Sequence, residues 1–414
     1  MELRFDVTND ESTSKKNTAQ LMSKRHFPRL DGLPPYVLGE VDARKAALRA
    51  AGENVYDFGL GNPDHGSPPV VVARLLKEAA LSANHRYAPS PGVAELKAAI
   101  CRWYARRYGV TLDPELDVVA TLGAKEGLAQ LFLGTLGSGD VVLVPDPSYP
   151  IHRYGVWFAG AETVAVPMGP GRDVLSELES ARLAAPRPPK MAVVNFPHNP
   201  TGQTIDRAIM AAIVRWAKQH EIWLVSDFAY ADLVFSGEAP SVLEVPWGHE
   251  CACEFFTLSK SYNMPGWRVG FCVGNRELVG ALKRIKGYLD YGHFAPLQLA
   301  AATALDDGDH AVAEIRGRYR ERRDALIAGL ASVGWKVDAP AATMFVWAKI
   351  PESQTRGRGS SSSVAFALEL LDKARVAVAP GVAFGSGGEG YVRFALVEEV
   401  ERTTAACVAI GRAI

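Results

Sequence analysis

Six short runs rich in β-formers, each followed by a turn and a longer helical pattern, constrain the fold of this chain more than any other feature. They cover residues 117–121, 141–144, 191–195, 222–226, 255–258 and 269–273. Several are continuously apolar rather than alternating, as strands covered on both faces are. Strands that alternate with helices build a mostly parallel sheet with helical layers on both sides. The expected class is α/β, with a three-layer α/β/α large domain.

The C-terminal part changes character. Residues 298–333 read as one long helical pattern, and strands at 344–350 and 391–395 then alternate with a helix at 364–374. This predicts a smaller α/β domain. A chain of 414 residues exceeds what one core organises. The expected division is a flexible tail at 1–25, a large domain at 62–297, and a small domain made of 26–61 and 298–414. A helix over 37–51 follows Leu33-Pro34-Pro35-Tyr36 and stops at Gly52. The Arg/Gly/Ser-rich stretch 354–363 reads as a mobile surface loop.

Charge and cysteine content remove several functions. A net charge of -1 gives no basic face for nucleic acid or an anionic membrane. No apolar run approaches the ~20 residues that span a bilayer, and the first 25 residues lack the apolar core of a signal peptide. The five cysteines are odd in number and match neither zinc nor disulfide spacing, which fits reduced thiols in the cytoplasm. His152, His198 and His293 have no partners at metal-ligand spacing, so no metal site is expected. Gly385-Ser386-Gly387-Gly388-Glu389-Gly390 matches G-x-G-x-x-G, but it precedes a strand, whereas a dinucleotide loop follows one and opens a helix.

In doubly wound sheets, ligands sit outside the carboxyl ends of the strands. The residues after each run are therefore the candidates. They are Gly123-Ala124-Lys125-Glu126-Gly127 at a helix start, Asp146-Pro147-Ser148-Tyr149-Pro150, Asn199-Pro200-Thr201-Gly202, then Asp227 with Tyr230, and Ser259-Lys260 with Arg268 eight residues on. Small residues at a helix N-terminus let backbone N–H groups approach a phosphate. A lysine amine forms an imine with an aldehyde. A carboxylate keeps a pyridinium protonated, a phenol and an amide bond a ring oxygen, and an aromatic stacks on the ring face. Thr257, Ser259 and Arg268 add hydroxyl and guanidinium donors. The set fits a phosphorylated pyridinium aldehyde better than a nucleotide. Singly these residues are ordinary, and Asp227 alone is as often a helix cap as a ligand. Their order and common rim make the case.

The segment from Thr257 through Lys260 and Arg268 to Gly270 resembles the lysine motif of class I aminotransferases. Asn199-Pro200-Thr201-Gly202 resembles that family's asparagine motif, and Tyr391-Val392-Arg393-Phe394 the segment holding its substrate-carboxylate arginine. Phe58-Gly59-Leu60-Gly61-Asn62-Pro63-Asp64 and Tyr288-Leu289-Asp290-Tyr291-Gly292 are most similar to bacterial glutamate–pyruvate (alanine) aminotransferases, with LL-diaminopimelate aminotransferases also alike.

The resemblance implies the fold of pyridoxal-phosphate (PLP) enzymes of fold type I, the aspartate aminotransferase fold, with PLP as cofactor. Lys260 would be the Schiff-base lysine and proton shuttle, and Asp227 would pair with the ring nitrogen. Tyr230 and Asn199 would bond the ring oxygen, and Tyr149 would stack where aspartate aminotransferases carry Trp. Ala124 and Lys125 would offer backbone donors to the phosphate beside Thr257, Ser259 and Arg268. Tyr87 would reach the phosphate of a partner subunit, implying a homodimer. Gly61 and Arg393, with Asn199 and Tyr36, would bind substrate, and Tyr36, Leu60 and 288–293 would line the side-chain pocket. The implied reaction moves an amino group between an amino acid and a 2-oxo acid by a ping-pong route, with alanine, glutamate, pyruvate and 2-oxoglutarate favoured. Alternatives are an LL-diaminopimelate or other aminotransferase, or a PLP lyase on the same scaffold. A PLP-dependent regulator ranks last, because the short tail leaves no room for a helix-turn-helix.

Overall fold

The computed structural model describes residues 27, 33–34, 37–355 and 362–414. Among these, the strands are β1 (Tyr56–Phe58), β2 (Val118–Thr121), β3 (Val141–Asp146), β4 (Glu162–Pro167), β5 (Met191–Val194), β6 (Trp223–Asp227), β7 (Ala252–Thr257), β8 (Gly270–Gly274), β9 (Phe345–Lys349), β10 (Val376–Pro380) and β11 (Tyr391–Ala395). They form two sheets. The larger has seven strands in the order β2-β8-β7-β6-β5-β3-β4, and the smaller has four in the order β1-β10-β11-β9.

The larger sheet is parallel except for β8, which runs antiparallel to β2 and β7. Alternate residues of one strand enter different cores, as the two-residue period of a strand requires. Leu143, Ala192 and Leu224 join one cluster, with Trp103 and Tyr104 of the helix Ala94–Tyr108. Val142, Val193 and Val225 join the other, with Leu128 and Phe132 of the helix Ala124–Thr135. The result is the expected three-layer α/β/α arrangement. The smaller sheet has its own core, in which Phe58, Phe394 and Trp335 meet edge to face. No helix among the described residues is long and apolar enough to cross a membrane.

The expected 298–333 helix is two helices, Ala295–Asp307 and Asp309–Ser332, parted at Gly308. The first packs against Pro69–Ala79 and Ala94–Tyr108, on the larger sheet's side, so the boundary placed at 297/298 falls inside it. The strand expected at 255–258 starts earlier and stops at Thr257. That side chain accepts the Ser259 N–H at 3.3 Å and caps the short helix Leu258–Ser261. Strands β1, β4 and β10 were not anticipated; β4 is an edge strand with mostly accessible residues, and its apolar run is no longer than Val164-Ala165-Val166. Gln354 ends in the short helix Glu352–Thr355 and Ser363 lies in Ser362–Ala374, so only 356–361 of the expected loop remain, outside the described residues with Tyr36 and the 1–25 tail.

One buried carboxyl knits the larger sheet to its surroundings. Glu254 of β7 is fully buried and accepts from Tyr104 Oη at 2.8 Å, Ser226 Oγ at 3.1 Å, Ser241 Oγ at 2.6 Å and Val242 N–H at 3.1 Å. Desolvation pushes its pKa up to about 7 in spite of these donors. Glu254→Ala leaves several buried donors unpaired and should lower unfolding free energy by roughly 3 kcal/mol, read by urea denaturation; a loss under 1 kcal/mol would refute this account.

Candidate active site

The carboxyl ends of β2, β3, β5, β6 and β7 open on a cavity of about 190 Å³. Its floor is the turn after β2. Gly123, at φ +80°, adopts a conformation that suits glycine, and a Cβ there would collide with the Arg268 guanidinium. Ala124 and Lys125 follow at the N-terminus of the helix Ala124–Thr135, where free backbone N–H groups favour an anion. Arg268 Nη2 donates to Leu122 O at 3.1 Å, and Thr257 Oγ1 donates to Ser259 Oγ at 2.9 Å. Together these groups form a cradle for a compact anion.

Lys260 stands beside this cradle. Its Nζ donates to the Gly61 carbonyl at 2.6 Å. Burial, with Arg393 and Arg268 nearby, lowers the amine's pKa from 10.5 to about 8. All three effects disfavour the ammonium form. Roughly a tenth is therefore the free amine at pH 7, against less than about a thousandth for an ordinary lysine, and the free amine is the form that is nucleophilic and basic.

Asp227 ends β6 in a nearly dry environment. His152 Nε2 hydrogen-bonds its Oδ2 at 2.8 Å, and Asn195 Nδ2 donates to its carbonyl at 2.6 Å. A carboxylate only accepts, so Nε2 carries the imidazole proton. His152 Nδ1 is buried with no hydrogen-bond partner among the described residues. Behind it, burial drives His198 down to about 3, so that ring is neutral. Tyr230, buried, has its hydroxyl pKa raised by desolvation, and Asn199 Nδ2 reaches its oxygen at 3.5 Å.

The far wall belongs to the smaller sheet. Arg393 of β11 is buried, donating from Nη1 to Asn199 Oδ1 at 3.0 Å and from Nη2 to Gly59 O at 3.3 Å. The guanidinium carbon lies 3.9 Å from the ring centre of Phe345 and 4.4 Å from that of Phe384. Gly61 must be small, because a Cβ would stand 2.5 Å from the Phe345 ring. Tyr149 caps the helix Pro150–Phe158, with Lys125 Nζ 5.8 Å from its ring centre.

Thus Gly61, Ala124, Lys125, Tyr149, Asn199, Asp227, Tyr230, Thr257, Ser259, Lys260, Arg268 and Arg393 all line one cavity. Tyr87 does not line it; this side chain is 90% exposed and meets Tyr291 edge to face at 5.6 Å. Of the expected side-chain pocket, Leu60 lines the cavity, whereas residues 288–293 do not. Asp290 of that turn accepts instead from Lys286 Nζ at 2.8 Å and Gln130 Nε2 at 2.6 Å. Tyr36 lies outside the described residues. His152, Asn195 and Phe345 were missed. A histidine two residues after Pro150 carries no local sign of its partner, 75 positions away. Asp64, His65 and Glu399 bring ligand-type atoms within 4.8 Å, but Arg322 reaches Asp64 and Glu399 at 2.8 Å, so these carboxylates serve a buried guanidinium.

Comparison with known proteins then gives the site a context. The aminotransferase class I and II family profile matches residues 53–410. Glutamate-pyruvate aminotransferase AlaC of Escherichia coli is 48% identical over 93% of this chain and 92% of its own length. An LL-diaminopimelate aminotransferase of Moorella thermoacetica is 37% identical, covering 93% and 97%. A single-mutant structure of Thermus thermophilus aspartate aminotransferase superposes with a TM-score of 0.86 at 29% identity, covering 94% of this chain and 100% of that one.

The lowered basicity of Lys260 is directly measurable. In the cofactor-free protein, acylation of Lys260 by a limiting amine reagent, resolved by peptide mass spectrometry, should rise with pH around a midpoint of about 8. A midpoint at the ordinary lysine value would show that the amine is not desolvated.

Proposed function

The chain belongs to the aminotransferase class I and II family, and from that membership we propose how its site divides the work and which substrates it takes. It is a PLP-dependent aminotransferase of the aspartate aminotransferase fold, exchanging an amino group between an amino acid and a 2-oxo acid. Bound PLP supplies an aldehyde that condenses with amines and a protonated ring that accepts the electron pair left when Cα loses its proton. The residues fit this group: the missing Cβ at Gly123 leaves room for the Arg268 guanidinium in the cradle, and the lysine amine is desolvated beside it.

Ala124, Lys125, Thr257, Ser259 and Arg268 would hold the phosphate. Asp227, oriented by His152 and Asn195, would keep the ring nitrogen protonated. Tyr230 and Asn199 would donate to the ring oxygen, and Tyr149 would cover the ring face. Arg393 takes the substrate α-carboxylate as a two-pronged donor. Lys260 Nζ moves the proton at Cα, its weakened basicity letting it both accept and return that proton near neutral pH. The observation that carries this reading is the desolvated Lys260 amine, placed between the Arg268 cradle and the Arg393 clamp.

For substrate we favour alanine and glutamate as donors, with pyruvate and 2-oxoglutarate as acceptors. Likeness to the E. coli glutamate–pyruvate enzyme supports this, as does a wall of Leu60, Phe345 and Tyr230, which suits a short side chain. Free cysteines fit a reducing cytoplasm. A half-reaction screen of the holoenzyme, following the cofactor's absorbance on adding single amino acids, should show conversion with alanine and glutamate. Reaction only with diaminopimelate would shift the assignment towards the second group of relatives, and ammonia as product would indicate a lyase.

A homodimer completes the proposal. Tyr87, Tyr288, Leu289, Tyr291 and Phe294 are exposed large hydrophobic side chains, and Tyr87 meets Tyr291 edge to face, which supports an interaction surface here. Sedimentation at assay concentration should give twice the 44.6 kDa chain mass. An active monomer would contradict this.

A further inference from the structure

The glycine-rich run that resembles a dinucleotide loop has another use in this fold. Between β10 and β11 it forms two short turns, Gly381–Phe384 and Ser386–Gly388, and lies against Asp146 at the carboxyl end of β3. Ser386 Oγ donates to Asp146 Oδ2 at 2.8 Å, and the Gly387 N–H donates to the same oxygen at 3.1 Å. The Ser148 N–H, two residues on, donates to Phe384 O at 2.7 Å. Gly385 sits at φ +124°, where a Cβ would collide with Asp146 Oδ1; a Cβ on Gly387 would stand 2.8 Å from Asp146 O. The glycines are what let this loop close onto the carboxylate.

The loop carries Phe384, whose ring centre is 4.4 Å from the Arg393 guanidinium carbon and which meets Trp347 edge to face at 5.9 Å. Asp146 is three residues before Tyr149 on the opposite wall of the cavity. We propose that Asp146 is a positioning residue for substrate binding: it clasps the Gly385–Gly387 turn and so keeps Phe384 packed on Arg393, fixing the guanidinium that takes the substrate carboxylate. This rests on the role given to Arg393 above. The clasp joins the end of β3 in the larger sheet to the loop of the smaller one, and it contacts neither the phosphate cradle nor Lys260.

The test compares Asp146→Ala, Asp146→Asn, Ser386→Ala and Arg393→Lys in the holoenzyme. Asp146→Ala should speed amide exchange across residues 381–390 about tenfold. It should raise KM for donors and 2-oxo acids together, about fivefold, with kcat changed less than twofold. Ser386→Ala, which removes one donor only, should do the same more weakly, and Asp146→Asn, which keeps an acceptor, should lie nearest the wild type. PLP affinity should not move. Unchanged KM in Asp146→Ala beside a raised KM in Arg393→Lys would overturn the positioning role alone. Unchanged KM in both would overturn the role of Arg393, and this one with it. Loss of PLP affinity in Asp146→Ala would also overturn it, because the effect would then run through Tyr149.

Discussion

The Arg393–Asn199 hydrogen bond is the contact on which the arrangement of the site depends. Its donor is on a strand of the four-stranded sheet, and its acceptor follows β5 of the seven-stranded one. Both groups are nearly dry, so the bond is made where an unpaired guanidinium costs several kcal/mol. The same guanidinium draws in the Gly59 carbonyl and two phenyl rings. Beside it, the Gly61 carbonyl accepts from Lys260 Nζ, and Phe345 of the smaller sheet lines the same cavity. A charge that is awkward to bury therefore organises the meeting of two sheets.

The ionisable groups around the cavity share one physical cause for their behaviour. Desolvation makes Lys260 a weaker base and keeps His198 neutral and the Tyr230 hydroxyl protonated. Asp227 is treated differently, receiving His152 on one oxygen and Asn195 on its backbone carbonyl. A carboxylate hydrogen-bonded to His152 at one side and an amine of weakened basicity at the other is the polarity a protonated ring and a proton-moving base require.

Much of this was legible in the residue order. Continuous apolar runs gave β3, β5 and β6 closely, because a strand buried on both faces has no polar side to hide it. Asp227 and Lys260 were legible because each follows such a run at a strand end, and Arg268 because it stands eight residues after Lys260. Much of what stayed hidden was exposed or non-local, although the buried apolar run Val376–Pro380 of β10 fits neither reason. The edge strand β4 alternates too weakly to stand out. Phe345 and Phe384 look like any core aromatics until the fold sets them on Arg393. Residues 288–293 were expected at the pocket from the resemblance, but they do not line the cavity, and Asp290 of that turn is bonded to Lys286 and to the Gly292 N–H.

The antiparallel strand β8 has a consequence for how the protein comes to exist on the ribosome. Among the described residues the edge strand β2 pairs only with β8, and Arg268, just before β8, closes the turn after β2 from 146 residues away. During synthesis β2 and its following helix emerge early and must wait, with an open edge, for the chain to reach Gly274. The anion cradle is therefore completed only after β8 is made, and an interrupted chain that stops short of β8 leaves β2 without its partner strand.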